Sequence, residues 1–432
     1  MKTRLMFVMT VLWGLTACTN VPSSPITPPT ASPTPSPTSP ALPRPTPLPG
    51  SDLTTLTLWV PDLLSGETAG EAHPLLLAQI EEFSRQHTNI QVQVLVKKAQ
   101  GAGGLYDLLS TAFSAAPVVL PDLVILEHDD LRAAVENGFV VALPPEELTD
   151  SVFPFASDAV TFDERVYGLP FLSEVSQAVY TPRLDVAAPL SWTKVLTGGY
   201  ALLFPTAPAA NLADDFLVEI YQGSGGQVAD AEGRPLLDRP HLEELYRFMA
   251  VMVEAGLLDP MRLATLPDSR ACWETFQTEA VQSNRPLLSA VPAGVYWSSP
   301  ARVGAASWAP TRDGQPFALA EVWSLALVST DFAHEDAALQ LARWLNERGQ
   351  AADLSLAVAM LPPSREALAL WPLSTEGVAF LEQLLPATVL SPPPTVDQPV
   401  RRALQAGLNF LLTTEGATPE QAATHALTVL RK

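Results

Sequence analysis

Apolar and polar residues alternate through Leu56-Thr57-Leu58-Trp59-Val60 and again from Ile90 to Val96, and a period of two predicts two strands. Between them Leu76, Ile80 and Phe83 recur at helical spacing behind Pro74, a residue suited to the first turn of a helix. Strand, helix and strand in that order make a βαβ unit. The apolar run Pro121 to Leu126 reads as a short buried strand. A helix over Leu131 to Asn137 follows, which Asp129 can cap and Gly138 stops, and then a strand over Phe139 to Leu143.

The stretch Tyr167 to Tyr180 has a different pattern. It bends at Gly168 to Pro170, then runs on rich in Val and Tyr, interrupted by Glu174, Ser176 and Gln177. Pro170 disfavours helix at Leu169 and fixes an extended backbone. An apolar extended segment with one carboxylate in its middle can pass between two domains and present that carboxylate to a cleft. An ordinary buried strand with a surface Glu has the same pattern. Further on, Ser191 is a candidate N-cap, Asn211 to Tyr221 reads as helical, and Pro240 to Ala255 is an amphipathic helix ended by Gly256. Pro286 to Val291 and Leu319 to Leu327 read as strands. Glu335 to Asn346, Val400 to Leu412 and Pro419 to Leu430 read as helices.

The two ends of the chain differ. Lys2 and Arg4 precede an apolar run, Leu5 to Leu15, too short to span a bilayer, and Leu15-Thr16-Ala17-Cys18 resembles a bacterial lipobox. Residues 1–18 are therefore expected to be a lipoprotein signal, with lipid attached at Cys18. Residues 19–52, dominated by Pro, Ser and Thr, lack the apolar content to fold and read as an extended linker. With 432 residues, 47% of them hydrophobic, the rest has room for two domains with real cores. A net charge of −21 argues against nucleic acid as a partner. Cys272, the other cysteine, reads as a small packed residue.

Several of these stretches, in this order, resemble family 1 extracellular solute-binding proteins, the maltose-binding-protein-like receptors of ABC importers. They are the opening LTLWV, the unit PDLVILEHDDLRAAVENGFVVAL, the Tyr167-Gly168-Leu169-Pro170 motif with its strand to Tyr180, and the hairpin and helix from Gly225 to Pro260. The chain departs from the family between Phe276 and Ala290 and around Glu321, where the family's glycines are lost. The resemblance implies an α/β, two-lobed periplasmic-binding-protein-like fold of type II, with mixed sheets flanked by helices and a hinge between the lobes. It places the first lobe at 53–169 and 311–361 and the second at 170–310 and 362–432, with crossings near Pro170, Pro310 and Pro362.

The resemblance also implies a solute, of the sugar or oligosaccharide class, held in an interlobe cleft. The expected partners are ABC permease subunits and, through the anchor at Cys18, the extracellular face of the cytoplasmic membrane; the receptor itself is expected to be a monomer with no catalytic residue, cofactor or metal. Glu174 aligns with a carboxylate that contacts sugar hydroxyls in maltose-type members, and Asp129 falls where they have a loop carboxylate. His128, Asp129 and Asp130 lie at the carboxyl end of a predicted strand, where open α/β sheets bind ligands, and Asp62 lies in the loop after the first strand. His128 alone reads more readily as a solvated loop residue than as a metal ligand. Tyr296, Trp297 and Trp323 are candidate ring platforms for a sugar, although packing is the commoner role for any one aromatic residue. A surface-anchored glycoside hydrolase using paired carboxylates such as Glu127 and Asp129 stays open, as does a sensory lipoprotein without transport.

Overall fold

The computed structural model describes residues 53–65, 70–184, 187–206, 212–282, 285–328 and 332–432, all within one compact unit, Gly50–Lys432. The signal, Cys18 and the linker of 19–52 lie outside the described residues. The opening βαβ unit forms as its periodicity predicts: β1 (Thr54–Pro61) and β2 (Ile90–Lys97) run parallel, joined through the helix Ala72–Gln86, and β3 (Leu123–Glu127) lies parallel on the other side of β1. β4 (Thr161–Phe162) and β5 (Arg165–Val166) form a small hairpin before β6 (Leu169–Tyr180). β7 (Ala201–Leu203), β8 (Leu287–Pro292), β9 (Ala305–Ser307), β10 (Ala318–Leu327) and β11 (Thr388–Leu390) complete the strands among the described residues.

β6 and β10 organise the rest. The order β2-β1-β3-β10-β6-β8-β7 makes one continuous mixed sheet, with β11 added to β10 and β9 to β6. The first half of β6 pairs antiparallel with β10, and its second half with β8 and β9. β10 in turn pairs with β11 at its start and with β3 at its end. Both strands therefore pass from one hydrophobic core to the other, making two lobes on one sheet. Leu169, Phe171 and Leu172 pack in the first core and Val175, Ala178 and Val179 in the second. On β10, Ala318 to Val322 belong to the second core and Trp323 onward to the first, so this passage falls beyond the Pro310 expected from the sequence. A third passage runs through Met360 and Leu361, where Leu361 and Ser173 exchange backbone hydrogen bonds of 2.8 Å.

Local chemistry sets most boundaries. Ser191 caps Trp192–Gly198 through Lys194 N, and Gly199 ends that helix at φ 66°. Thr418 opens Pro419–Leu430 with a capping box closed by Gln421. Two expectations change. The run Phe139 to Leu143 makes only isolated bridges, Val140 to Val328 and Leu143 to Val166. The helix after β3 begins at His128 and is capped by Glu127, whose carboxylate accepts from Asp129 N at 3.0 Å, so Asp129 lies in the first turn and is not the cap.

The third passage is held by close backbone packing. Gly294, in the short helix Ala293–Ser298, lies so close to it that an added Cβ would stand 2.2 Å from the Ala359 carbonyl oxygen and 2.6 Å from Met360 Cα. Backbone cannot yield there without shifting the crossing itself. Gly294→Ala is expected to lower stability by about 1–3 kcal/mol, the usual cost of overpacking, read in urea titration as a lower midpoint at unchanged slope.

Candidate functional site

The two strands that join the lobes carry carboxylates on one face. Glu174 on β6 and Glu321 on β10 are directly opposite each other in the antiparallel register. Each is the one charged residue of its strand, and like charges so placed destabilise a sheet. Water reaches both side chains, yet protein crowds them on every other side, as on the wall of a deep cleft. Burial and then Asp215 raise both above the usual carboxylate range; Arg270 partly offsets the rise at Glu174, and Arg401 at Glu321.

A cleft of about 730 Å³ opens over this floor. One wall is the junction of β3 with the helix His128–Glu136, which supplies Glu127, His128, Asp129 and Asp130, together with Gln100 and Gly101 from the loop after β2. The other wall comes from Leu212 to Asp215, from Ser391 and Pro392, and from Pro394, Asp397, Gln398 and Arg401 on the helix Pro394–Thr413. A second hollow of about 320 Å³ contains Glu174, Ser176, Asp268, Ser269 and Arg270 and shares Asp214 and Asp215 with the first. Seven carboxylates line the larger hollow and four the smaller; two are common, so nine face the combined cleft. Its cations are Arg401, Arg270 and, when protonated, His128. No aromatic residue other than His128 is among the described residues lining either hollow.

The second wall is braced from within. Asp214 caps the helix Asp215–Gln222 by accepting from Phe216 N at 3.1 Å, and also accepts from Ser269 Oγ at 3.2 Å. Glu219, on the buried face of that helix, accepts from Leu319 N of β10 at 2.7 Å and from Ser176 Oγ of β6 at 3.1 Å. One carboxyl thus ties the helix to both crossing strands. Its burial, and then Asp215, push its pKa well above the usual range. Arg401 donates to Asp397 Oδ2 and Asp215 Oδ1, each at 2.5 Å, and to the Ala213 carbonyl at 3.0 Å, so its charge is committed to the wall itself.

On the first wall His128 is only 1% exposed, not a solvated loop residue. Its Nδ1 contacts the Glu127 carboxylate and its Nε2 lies 3.4 Å from Asp129 Oδ1. Burial presses the imidazole pKa down, but Glu127 and then Asp129 outweigh it, and the net shift is upward. The ligand atoms of Glu127, His128 and Asp129 lie within 4.8 Å of one another, close enough to be considered for a metal ion. With a carboxylate already against Nδ1, the trio is an internal ion-paired cluster. Burial raises Asp129 to about 6 and Asp130 to about 7, the latter helped by Glu127, Asp129 and Asp107.

The structure therefore brings His128, Asp129 and Asp130 to the larger hollow and Glu174 to the smaller one. Asp62 is exposed and lines neither; it accepts from Ala99 N at 2.9 Å and so steadies the loop that carries Gln100 and Gly101. The expected ring platforms are also elsewhere. Trp297 is 5% exposed, donates through Nε1 to Gln177 Oε1 at 2.9 Å and packs against Gly377, where a Cβ would come within 2.6 Å of its ring. Tyr296 meets it edge-on and donates to the Gly304 carbonyl at 3.2 Å, and Trp323 is buried in the first core beside Glu127 and Leu172 in register. Sequence reasoning missed Asp214, Asp215, Glu321, Asp397, Arg401 and Ser391. Glu321 carried the same signal as Glu174, a carboxylate alone in an apolar strand; the others come from distant helices and loops whose convergence no local pattern shows.

A family model described as "Bacterial extracellular solute-binding protein" matches residues 69–352. Among solved structures, the chain is similar to the maltose-bound MalE3 of T. maritima, with 19% identity and a TM-score of 0.62 over 88% of this chain and 99% of that one. It is similar to a family 1 extracellular solute-binding protein from Alicyclobacillus acidocaldarius, with 18% identity and a TM-score of 0.63 over 88% and 99%. A putative oligosaccharide periplasmic-binding protein from Synechococcus gives 19% and 0.61 over 87% and 98%. No curated protein matches.

The crowded carboxyls predict a pH dependence. Asp129, Asp130 and Asp214 have folded pKa values of about 6, 7 and 7 against a usual 3.8, with burial the leading cause in each. Between the usual and the folded values the folded state holds more protons than the unfolded one. The stability these groups contribute is full below about pH 4 and is lost as pH rises through 6 to 7. The unliganded protein is expected to melt at a lower temperature at pH 8 than at pH 5. Asp130→Asn should flatten part of that slope in thermal melts across the range, and an unchanged slope would contradict the assignment.

Proposed function

The chain belongs to the bacterial extracellular solute-binding protein family, and from that premise we propose that it captures a sugar-sized polar solute of the carbohydrate class in the cleft between its lobes and presents it to an ABC permease. The observation that carries this reading is the floor of the cleft. Two strands run through both lobes and place Glu174 and Glu321 side by side beneath two walls that belong to different cores. A solute seated there touches both lobes at once, and closure around it is the hinge motion such an arrangement allows. Carboxylates accept two hydroxyl donors each, which suits a polyol. The relatives named above as maltose-bound or oligosaccharide-binding support the carbohydrate class.

The family is one of solute-binding proteins, and the reading assigns no turnover to this chain. Titration calorimetry against a panel of neutral and aminated sugars, paired with small-angle scattering, tests it. One member of the panel should bind, contract the particle and be recovered intact. Release of smaller sugars at a rate removed by Glu174→Gln would instead favour a hydrolase.

Among the described residues no helix is long and apolar enough to cross a membrane. On the lipobox-like Leu15-Thr16-Ala17-Cys18, the reading includes a lipid anchor at Cys18 to hold the receptor at the outer face of the cytoplasmic membrane, beside its permease. Several acyl chains on one residue give stable attachment, at about 0.8 kcal/mol for each buried methylene. Cys18→Ala should move the protein from the membrane pellet to the soluble fraction after ultracentrifugation; a mutant that stays in the pellet refutes the anchor.

A further inference from the structure

We infer that the solute held in this cleft is an organic cation carrying two or more amino groups, an inference that rests on the receptor reading above and not on its carbohydrate class. Nine carboxylates face the combined hollows. Arg401 is spent on Asp215 and Asp397, and His128 on Glu127 and Asp129, which leaves five carboxylates, Asp130, Asp214, Asp268, Glu174 and Glu321, against Arg270 at the edge of the smaller hollow. An anionic solute would meet this field as repulsion. A neutral oligosaccharide would find no ring face, because the expected aromatic platforms are sealed in the cores. Ammonium groups suit the walls: each carries three donors and no acceptor, and the walls are rich in acceptors.

Two further observations point to a ligand and not simply to an acidic surface. Ser391 on the cavity wall is 8% exposed, and its Oγ has no hydrogen-bond partner in the protein. A buried hydroxyl left so costs stability unless something else satisfies it. Glu174 and Glu321 are held directly opposite each other on the strands that join the lobes, where a sequence selected only for stability would avoid like charges. A positive group between them removes the repulsion at the hinge itself. The carboxylates are spread over both walls of a 730 Å³ hollow and do not converge on one point, which fits an extended solute with separated amino groups better than a single metal ion.

Amino groups of this kind occur on linear oligoamines and on aminated sugar rings, and the experiment separates the two. The intact chain is titrated at pH 8 with spermidine, with kanamycin, with maltotriose and with calcium chloride alone, at low and at high salt. One of the two amines should bind, several-fold more weakly at high salt, and which one binds tells linear from ring-borne amines. The double variant Glu174→Gln, Glu321→Gln should weaken that binding about 30-fold or more while raising the melting temperature of the unliganded protein, since the repulsion is gone. The rise in melting temperature shows that the variant is folded and that the loss of binding is not a loss of structure. Failure of both amines to bind overturns the inference, as does salt-insensitive maltotriose binding or binding of calcium alone. Maltotriose binding with contraction of the particle would leave the receptor reading standing without the cationic solute. A particle that contracts with no probe and no panel sugar removes both.

Discussion

The pairing of β6 with β10 is the constraint on which the rest depends. Each strand starts in one core and ends in the other, and they are hydrogen-bonded to each other where they cross. Neither lobe can turn without working that junction. Glu219 fixes the helix Asp215–Gln222 to both strands at the same place, one oxygen for each. The second wall of the cleft is therefore referenced to the floor and does not hang from loops. Binding sites held this way lose less to reorganisation when a solute arrives.

The same junction concentrates charge. A fully buried carboxyl beside the floor, two facing carboxylates on it and an Arg401 cluster all lie within one continuous region. Burial and mutual repulsion push the acids of this region upward together, and the one well-placed guanidinium is already shared between two of them. Such an arrangement costs stability in the unliganded state. The large cores of both lobes, and a fold whose sheet is continuous, offset that cost.

Much of the frame was legible in the sequence because it rests on local rules. Alternation found β1 and β2, the Gly168 to Pro170 bend found the start of β6, and the capping residue Ser191 marked a helix start. The site was less legible. His128 and Asp129 were placed correctly at a strand end, yet His128 is buried by its neighbours and Glu127, not Asp129, provides the cap. Trp297 and Trp323 are large, which suits a core as well as a sugar face. Which of the two they serve depends on Gln177, Gly377 and Leu172, partners remote in sequence. Asp397 and Arg401 sit on one face of a helix near the end of the chain, and only the fold brings that helix to β10.

The sheet order also governs when the protein can fold. β10 lies between β3 and β6, pairing antiparallel with both, although both precede it in the chain by more than a hundred residues. Until residue 327 has been made, β3 and the first half of β6 have bare edges facing each other across a gap. The first lobe, whose βαβ unit forms early in the sequence, cannot close its sheet during most of synthesis. Pairings at such separation are slow to form. For an exported receptor, as proposed above, that delay gives time before folding, and the strand that carries Glu321 is the one that ends it.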